Sequence, residues 1–390
     1  MRQSAAHGPG AGFALWSIGF RPFYLLAAIF AALGVPLWAA QLSGWLPAPY
    51  LAGPLWHGHE MLFGYTLAVV AGFLLTAVRN WTAQPTASGG ALMALAGLWV
   101  AGRILVLTPF AAAAAAVNAA FPLALGIAIA VPLARSRNTR NYFFVGLLAL
   151  MAGLVAALHL ALLGMAAPPA RLDLVLALDV MLFIMSVMGG RVIPMFTNNG
   201  VPGAGAVRDP WVEKIALGSV LALFAADLLG SPGLIAAVAA VAAIAHGARL
   251  ALWRPWRTLR TPLVWILHAA YAWIVAHLTL RALGMMGLVA ESLAIHALTV
   301  GAIGGLTLGM MTRTARGHTA RPLVAEGAEL ACFLLVQAAA LVRVLGGAAF
   351  AGAYLASVQL SAALWAAAFG LYAAHYWTIL TRPRLDGKPG

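Results

Sequence analysis

The feature that most constrains this chain is the way its apolar residues are grouped. They come in runs of about 20, the length an α-helix needs to cross the hydrocarbon core of a bilayer. The runs fall near residues 23–42, 57–78, 89–108, 112–133, 142–165, 172–195, 212–230, 233–252, 262–283, 291–312, 326–346 and 352–378. They are too long for the strands of an outer-membrane barrel, which alternate and are about 10 residues long. Only 8% of the 390 residues are charged, against about 25% in a soluble domain. The expected fold class is therefore an all-α polytopic membrane protein of about twelve transmembrane helices, with residues 1–390 forming a single integral membrane domain. The first run is too long for a signal-peptide core and reads as a retained helix. The alanine run 111–116 is the weakest helical segment; read as a loop, it would leave eleven helices.

Charge placement supports twelve. The net charge is +13, and in a membrane protein this points to the lipid bilayer as partner, not to nucleic acid, because basic residues collect in cytoplasmic loops. The even-numbered loops carry Arg79, then Arg135, Arg137 and Arg140, then Arg208 and Lys214, then Arg249, Arg254, Arg257 and Arg260, then Arg313, Arg316 and Arg321. Arg171 alone stands in an odd-numbered loop. Both termini are thus expected in the cytoplasm, and the localisation a bacterial inner membrane. The single cysteine, Cys332, lies in an apolar run, which rules out an internal disulfide, a zinc knuckle and a C-x-x-C-H haem attachment. Any haem must be held without covalent bonds.

Short matches recur along the chain. Arg21-Pro-Phe, Arg140-Asn-Tyr and Arg260-Thr-Pro precede helices one, five and nine at nearly equal intervals. Met61-Leu62-Phe63 matches Met181-Leu182-Phe183, and Gly189-Gly190 followed by Met195 and Thr197 matches Gly304-Gly305 followed by Met310 and Thr312. Three four-helix repeats, 20–138, 139–258 and 259–380, account for these spacings. Small faces, Gly64-xxx-Ala68-xxx-Gly72 and Gly301-xxx-Gly305-xxx-Gly309, suggest close pairing of helices two and ten.

Ionisable residues at bilayer depth are costly and are functional candidates by default. The stretch Trp56-His57-Gly58-His59-Glu60-Met61 opens helix two at its periplasmic end. His159, His277 and His296 share that half of the membrane, and Asp179 lies about two turns into helix six. A lone histidine at a helix end is usually interfacial or hydrogen-bonded. Five at one depth, with an acid on helix six, fit a metal or haem site built from facing helices. His57 and Met61 share a face, whereas His59 sits about 200° round the helix. Aligning the repeats places His59 opposite Asp179 and His296. Arg103, Arg281 and Arg343 offend the positive-inside rule; they either snorkel to lipid phosphates or pair with haem propionates. Met181, Met185 and Met188 form a stripe that packs a core or offers thioethers to Cu(I).

At these residues the sequence resembles the NnrS family. The resemblance rests on Gly19-Phe-Arg-Pro-Phe-Tyr-Leu, Trp56-His-Gly-His-Glu-Met-Leu-Phe-Gly-Tyr, Gly72-Phe-Leu-Leu-Thr-Ala-Val-Arg-Asn-Trp-Thr, Gly189-Gly-Arg-Val-Ile-Pro-Met-Phe-Thr, Pro262-Leu-Val-Trp-Ile-Leu-His-Ala-Ala-Tyr and His296-Ala-Leu-Thr-Val-Gly-Ala-Ile-Gly-Gly. It implies a haem- and copper-containing inner-membrane protein linked to nitric oxide metabolism and tolerance of nitrosative stress. No ligand assignment carries over with it. Ala83 and Ala320 stand where the resemblance leads one to expect glycine. The helix count and the histidines on helices two and ten are also similar to the haem-copper oxidase architecture, but helix six carries Asp179 and no histidine, so a three-histidine copper centre is not assembled in the usual way.

The expectations are then a non-covalent haem b in the periplasmic half, held by His59 and His296, with His277, His159, Arg103, Arg281 and Arg343 as further cofactor-binding candidates. Copper or another metal draws on His57, His59, Met61, Asp179 and His296, with Glu60 supporting a neighbouring imidazole. Nitric oxide is the expected small-molecule partner. The alternative from a different class is a secondary transporter using the intramembrane His and Asp groups.

Overall fold

The computed structural model describes residues 12–45, 51–165, 170–346 and 352–388. These residues form twelve helical rods and no strands. They are α1 (Phe20–Leu42), α2 (Gly53–Thr82), α3 (Gly89–Leu105), α4 (Ala111–Arg135), α5 (Phe143–Leu162), α6 (Ala170–Gly200), α7 (Pro210–Leu229), α8 (Pro232–Leu252), α9 (Pro262–Met285), α10 (Glu291–His318), α11 (Gly327–Gly346) and α12 (Tyr354–Thr381). The alanine run 111–116 opens α4, so the count is twelve. Ten rods are long and apolar enough to cross a bilayer. The exceptions are α3, with 17 residues, and α7, which carries Glu213, Lys214 and Asp227.

Local chemistry sets the helix ends. Prolines stand in the first turn of α2, α7, α8 and α9, where the missing N–H costs nothing. Asp209 caps α7, its carboxylate accepting from the Trp211 and Val212 amides, and Gly230 closes the same helix in the left-handed conformation (φ 63°). Glu326 and Glu329 form a reciprocal capping box at α11. Ala83 and Ala320 both adopt left-handed backbone, φ 53° and 60°, which is why glycine is the natural residue at those turns.

Successive helices pack as neighbours, and α12 returns to pack on α1. The two described ends meet there: the Ala14 amide donates to Thr381 O (2.7 Å), and the buried Arg21 guanidinium donates to Leu380 O (2.9 Å) and Arg382 O (2.7 Å). That end of the bundle is the terminal face, and the opposite one is the far face. α2 is the most enclosed span: 83% of its apolar window is buried, against 39–61% for the others. It packs on α1, α3 and α4 and also touches α6 and α10.

The expected pairing of small faces between α2 and α10 is not what forms. Gly72 of α2 lies against Tyr24 and Phe23 of α1, whereas Gly301, Gly305 and Gly309 of α10 admit Trp273, Ala270 and Leu267 of α9. Each small face thus packs mainly on its own sequence neighbour, with Gln337 of α11 also reaching Gly305.

Three helices depart from α geometry. α2 has a π-helical stretch at Glu60–Thr66, α10 at Ala297–Gly304 and α11 at Val342–Gly346. Such stretches insert an extra residue, rotate the remainder of the helix about its axis, and gather at functional sites.

Candidate functional site

All three π-helical stretches border one cavity of about 480 Å³ near the far face. This volume is within the range of small-molecule and cofactor sites. Its walls are mostly apolar, supplied by α1, α2, α6, α10, α11 and α12, with Trp38 and Trp365 as the largest side chains. Four groups give it chemistry: His57, Met61, His296 and Arg343. His57, His296 and Arg343 are close enough to interact electrostatically.

The two imidazoles are prepared differently. His296 Nδ1–H donates to Ser292 O, one turn back on α10, at 2.6 Å. That bond fixes the tautomer and leaves the Nε2 lone pair for a ligand. His57 stacks on Trp38 (ring centroids 4.3 Å apart, planes 25° from parallel), and its Nδ1 is buried without a hydrogen-bond partner. Among the described residues, Arg343 faces no carboxylate, and its guanidinium reaches the Tyr354 hydroxyl at 3.4 Å. A cation so placed suits an anionic group entering the cavity. At the rim, Arg171 and Glu291 form an exposed ion pair.

His59 lies on the other side of α2. It was expected to share a site with His296, but the cavity takes His57 from this helix. His59 Nδ1–H donates to Glu60 Oε1 (2.7 Å), and its Nε2 stands 3.2 Å from Nε2 of His159 on α5. Glu60 in turn accepts from Arg103 Nη1 (2.6 Å), and Arg103 also donates to Asn118. Gly64 makes room for this cluster: a Cβ there would stand 2.6 Å from Arg103 Nη1. The charge pair and the facing imidazole draw His59 towards α3–α5, and the about 200° between the two histidines leaves His57 for the cavity. Glu60 does hold an imidazole N–H, that of its own neighbour in the chain.

The other expected site residues lie elsewhere. Arg281 is bound by Asp179 (2.7 Å) and by Asp227. Asp179 is therefore an arginine partner, not a neighbour of His59. His277 is in the same region, with Nδ1–H donating to Ala294 O at 2.7 Å. Of the three unusual arginines, only Arg343 reaches the cavity. Met181 is core packing.

Sequence reasoning overlooked the second half of this chemistry. Arg249 of α8 donates to both carboxylate oxygens of Glu213 (2.8 and 2.6 Å), to Ser186 O (2.7 Å) and to the Tyr271 hydroxyl (2.9 Å). Tyr271 hydrogen-bonds His246 Nδ1 (2.7 Å), whose Nε2–H donates to Ala216 O (3.1 Å). Gly190 is the notch into which Arg249 fits; any Cβ there would overlap the guanidinium. Asp227 had a readable signal, as an acid in an apolar segment at the depth of an unmatched arginine.

Among the described residues, one set of three candidate metal ligands converges, Glu326, Glu329 and His375 on the terminal face. Arg316 already binds both glutamates, at 2.8 and 2.5 Å.

A search of the curated proteins finds no match. The family model described as NnrS protein matches residues 14–384, nearly the whole chain. The long motifs at the cavity and this end-to-end match lead to one conclusion: the chain belongs to the NnrS family of nitric oxide-related membrane proteins.

Proposed function

We propose that the protein binds haem in the far-face cavity and copper between His59 and His159, and protects the cell from nitric oxide by binding it or by redox chemistry there. The observation that carries the reading is the cavity itself, where, among the described residues, two imidazoles with free ring nitrogens and an arginine without a carboxylate partner face one apolar space. This reading gives the haem role on α2 to His57, which lines the cavity, in place of His59. His296, its tautomer fixed by Ser292, is the other candidate ligand. Arg343 is the candidate partner for a propionate, and the apolar walls keep water from the site. Bound haem supplies an iron able to take nitric oxide as a ligand.

The facing pair His59–His159 fits a metal ion. Ligand nitrogens about 2.05 Å from a tetrahedral ion stand about 3.3 Å apart, close to the 3.2 Å between these Nε2 atoms. Glu60 accepts the Nδ1–H of His59, the kind of hydrogen bond that orients a metal-binding imidazole and raises its basicity. Imidazoles suit copper. The family favours this nitric oxide-linked reading over the transporter alternative.

The test is a set of spectra and metal analyses on purified, haem-saturated protein. A Soret band is expected, shifted by anaerobic nitric oxide after reduction. His57→Ala and His296→Ala should bleach it while copper stays; His59→Ala and His159→Ala should lose copper while the band stays. Saturated protein without a Soret band, or the reverse pattern of losses, overturns the assignment.

A further inference from the structure

Where buried arginines in this fold meet buried acids they do so one to one, with a single exception; Arg21, Arg313 and Arg343 are buried without a carboxylate partner among the described residues. Among the described residues, Arg103 meets buried Glu60, Arg249 meets Glu213, and Arg316 meets buried Glu329, its second partner Glu326 being exposed. Arg281 alone faces two buried acids, Asp179 from α6 and Asp227 from α7. One guanidinium and two carboxylates leave a net negative charge in the apolar interior, and uncompensated buried charge is strongly unfavourable.

The geometry shows where the imbalance is relieved. Arg281 reaches Asp179 Oδ1 through Nη1, leaving Asp179 Oδ2 buried with no donor. Both carboxyl groups meet the same guanidinium, Asp179 at Nη1 and Asp227 at Nη2, which sets them side by side. Two carboxylates cannot hydrogen-bond without a proton; with one between them, the spare oxygen gains a partner and the triad becomes neutral. The groups that act on Asp179 are Arg281 of α9 and Asp227 of α7, and His277 of α9 senses Arg281 and His246 of α8. Among the described residues, Arg281 is the basic group that forms an ion pair with Asp179.

We infer that Asp179, Asp227 and Arg281 form a proton-binding site that holds one exchangeable proton between the two aspartates. Asp227, with its side chain 7% exposed near the end of α7, is the member through which the proton exchanges with water at the far face. α6 presents Leu174, Val175 and Leu178 to the cavity and Asp179 to the triad, so the proton site backs onto the cavity wall. It stands whether or not the cavity holds haem.

Infrared difference spectroscopy of the reconstituted full chain tests this directly. The protein should show the carbonyl stretch of a protonated carboxylic acid, shifting in D2O and on incorporation of carboxyl-13C aspartate. The label makes the test independent of any variant that fails to fold. Asp179→Asn and Asp227→Asn should each abolish the band, since the remaining aspartate then balances Arg281, while Asp173→Asn should leave it. Arg281→Gln should raise the band about twofold, because both acids must then be neutral. A chain with no aspartate-derived acid band, or a band lost only with Asp173→Asn, overturns the proposal and identifies the triad as a fully ionised structural bridge.

Discussion

Two regions of this molecule handle polar groups in the membrane in opposite ways. In the α6–α9 region, each guanidinium nitrogen of Arg249 donates, to Glu213, Ser186 O or the Tyr271 hydroxyl, and a glycine on α6 provides its space. In the cavity, among the described residues, Arg343 has no carboxylate and His57 Nδ1 no partner, and the helices around them carry π-helical stretches. The first arrangement resembles a structural bridge, where each nitrogen of the arginine has an acceptor. The second holds polar groups in reserve, which is tolerable only where a ligand completes them. Burial and charge alone do not separate the two; the partner count does.

Substitutions can break or sharpen that contrast. The largest effect is expected at Arg249. Arg249→Ala leaves Glu213 only its ion pair with the half-exposed Arg208 (3.1 Å) among the described residues and should cost about 3 kcal/mol, the low end for a broken buried pair, seen as a large fall in the thermal unfolding midpoint in detergent. A midpoint unchanged from wild type would remove the distinction between the regions.

Gly64→Ala comes next. Its methyl group lands 2.6 Å from Arg103 Nη1 and 2.9 Å from Phe30 Cε1. Forced rearrangement of this kind costs about 1–3 kcal/mol. Because Arg103 holds Glu60 and Glu60 holds His59, copper content should fall together with stability. Loss of stability with unchanged copper would separate Gly64 from the His59–His159 pair.

Arg343→Ala should change stability by less than about 1 kcal/mol, since no buried partner is left unpaired. Haem retention during dilution should nonetheless drop several-fold. Unchanged retention would remove Arg343 from the binding site, and a destabilisation as large as that of Arg249→Ala would make it a structural residue like the others.

The smallest expected effect lies outside both regions. Ala83→Gly relieves a left-handed alanine, φ 53°, and should stabilise the fold by about 0.5–1 kcal/mol without touching cofactor content. If Ala83→Gly altered the spectrum, the α2–α3 turn would be linked to the cavity in a way that packing does not suggest.

Much of this protein was readable without coordinates. Twelve helices came from apolar run length and loop charge, because a bilayer allows few other ways to satisfy a backbone. The split of His57 from His59 came from helix periodicity, and Ala83 and Ala320 were marked by the glycine expected there. The hidden part depends on which helices meet. Residue type showed that Arg103, Arg281 and Arg343 were unusual, but not that Glu60 and the Asp179–Asp227 pair occupy the first two and leave the third free. Nor did spacing show which side of α2 faces His296, since helical phase fixes angles within one helix and not the direction towards another. The π-helical stretches at 60–66 and 297–304 add to this, because they rotate the rest of each helix without a change in composition. The sequence by itself determined the membrane class, the helix count and the set of costly polar residues. Only the tertiary structure decided which of them are paired off and which are left to bind something else, because pairing depends on interhelical distances of a few ångströms that a one-dimensional pattern does not contain.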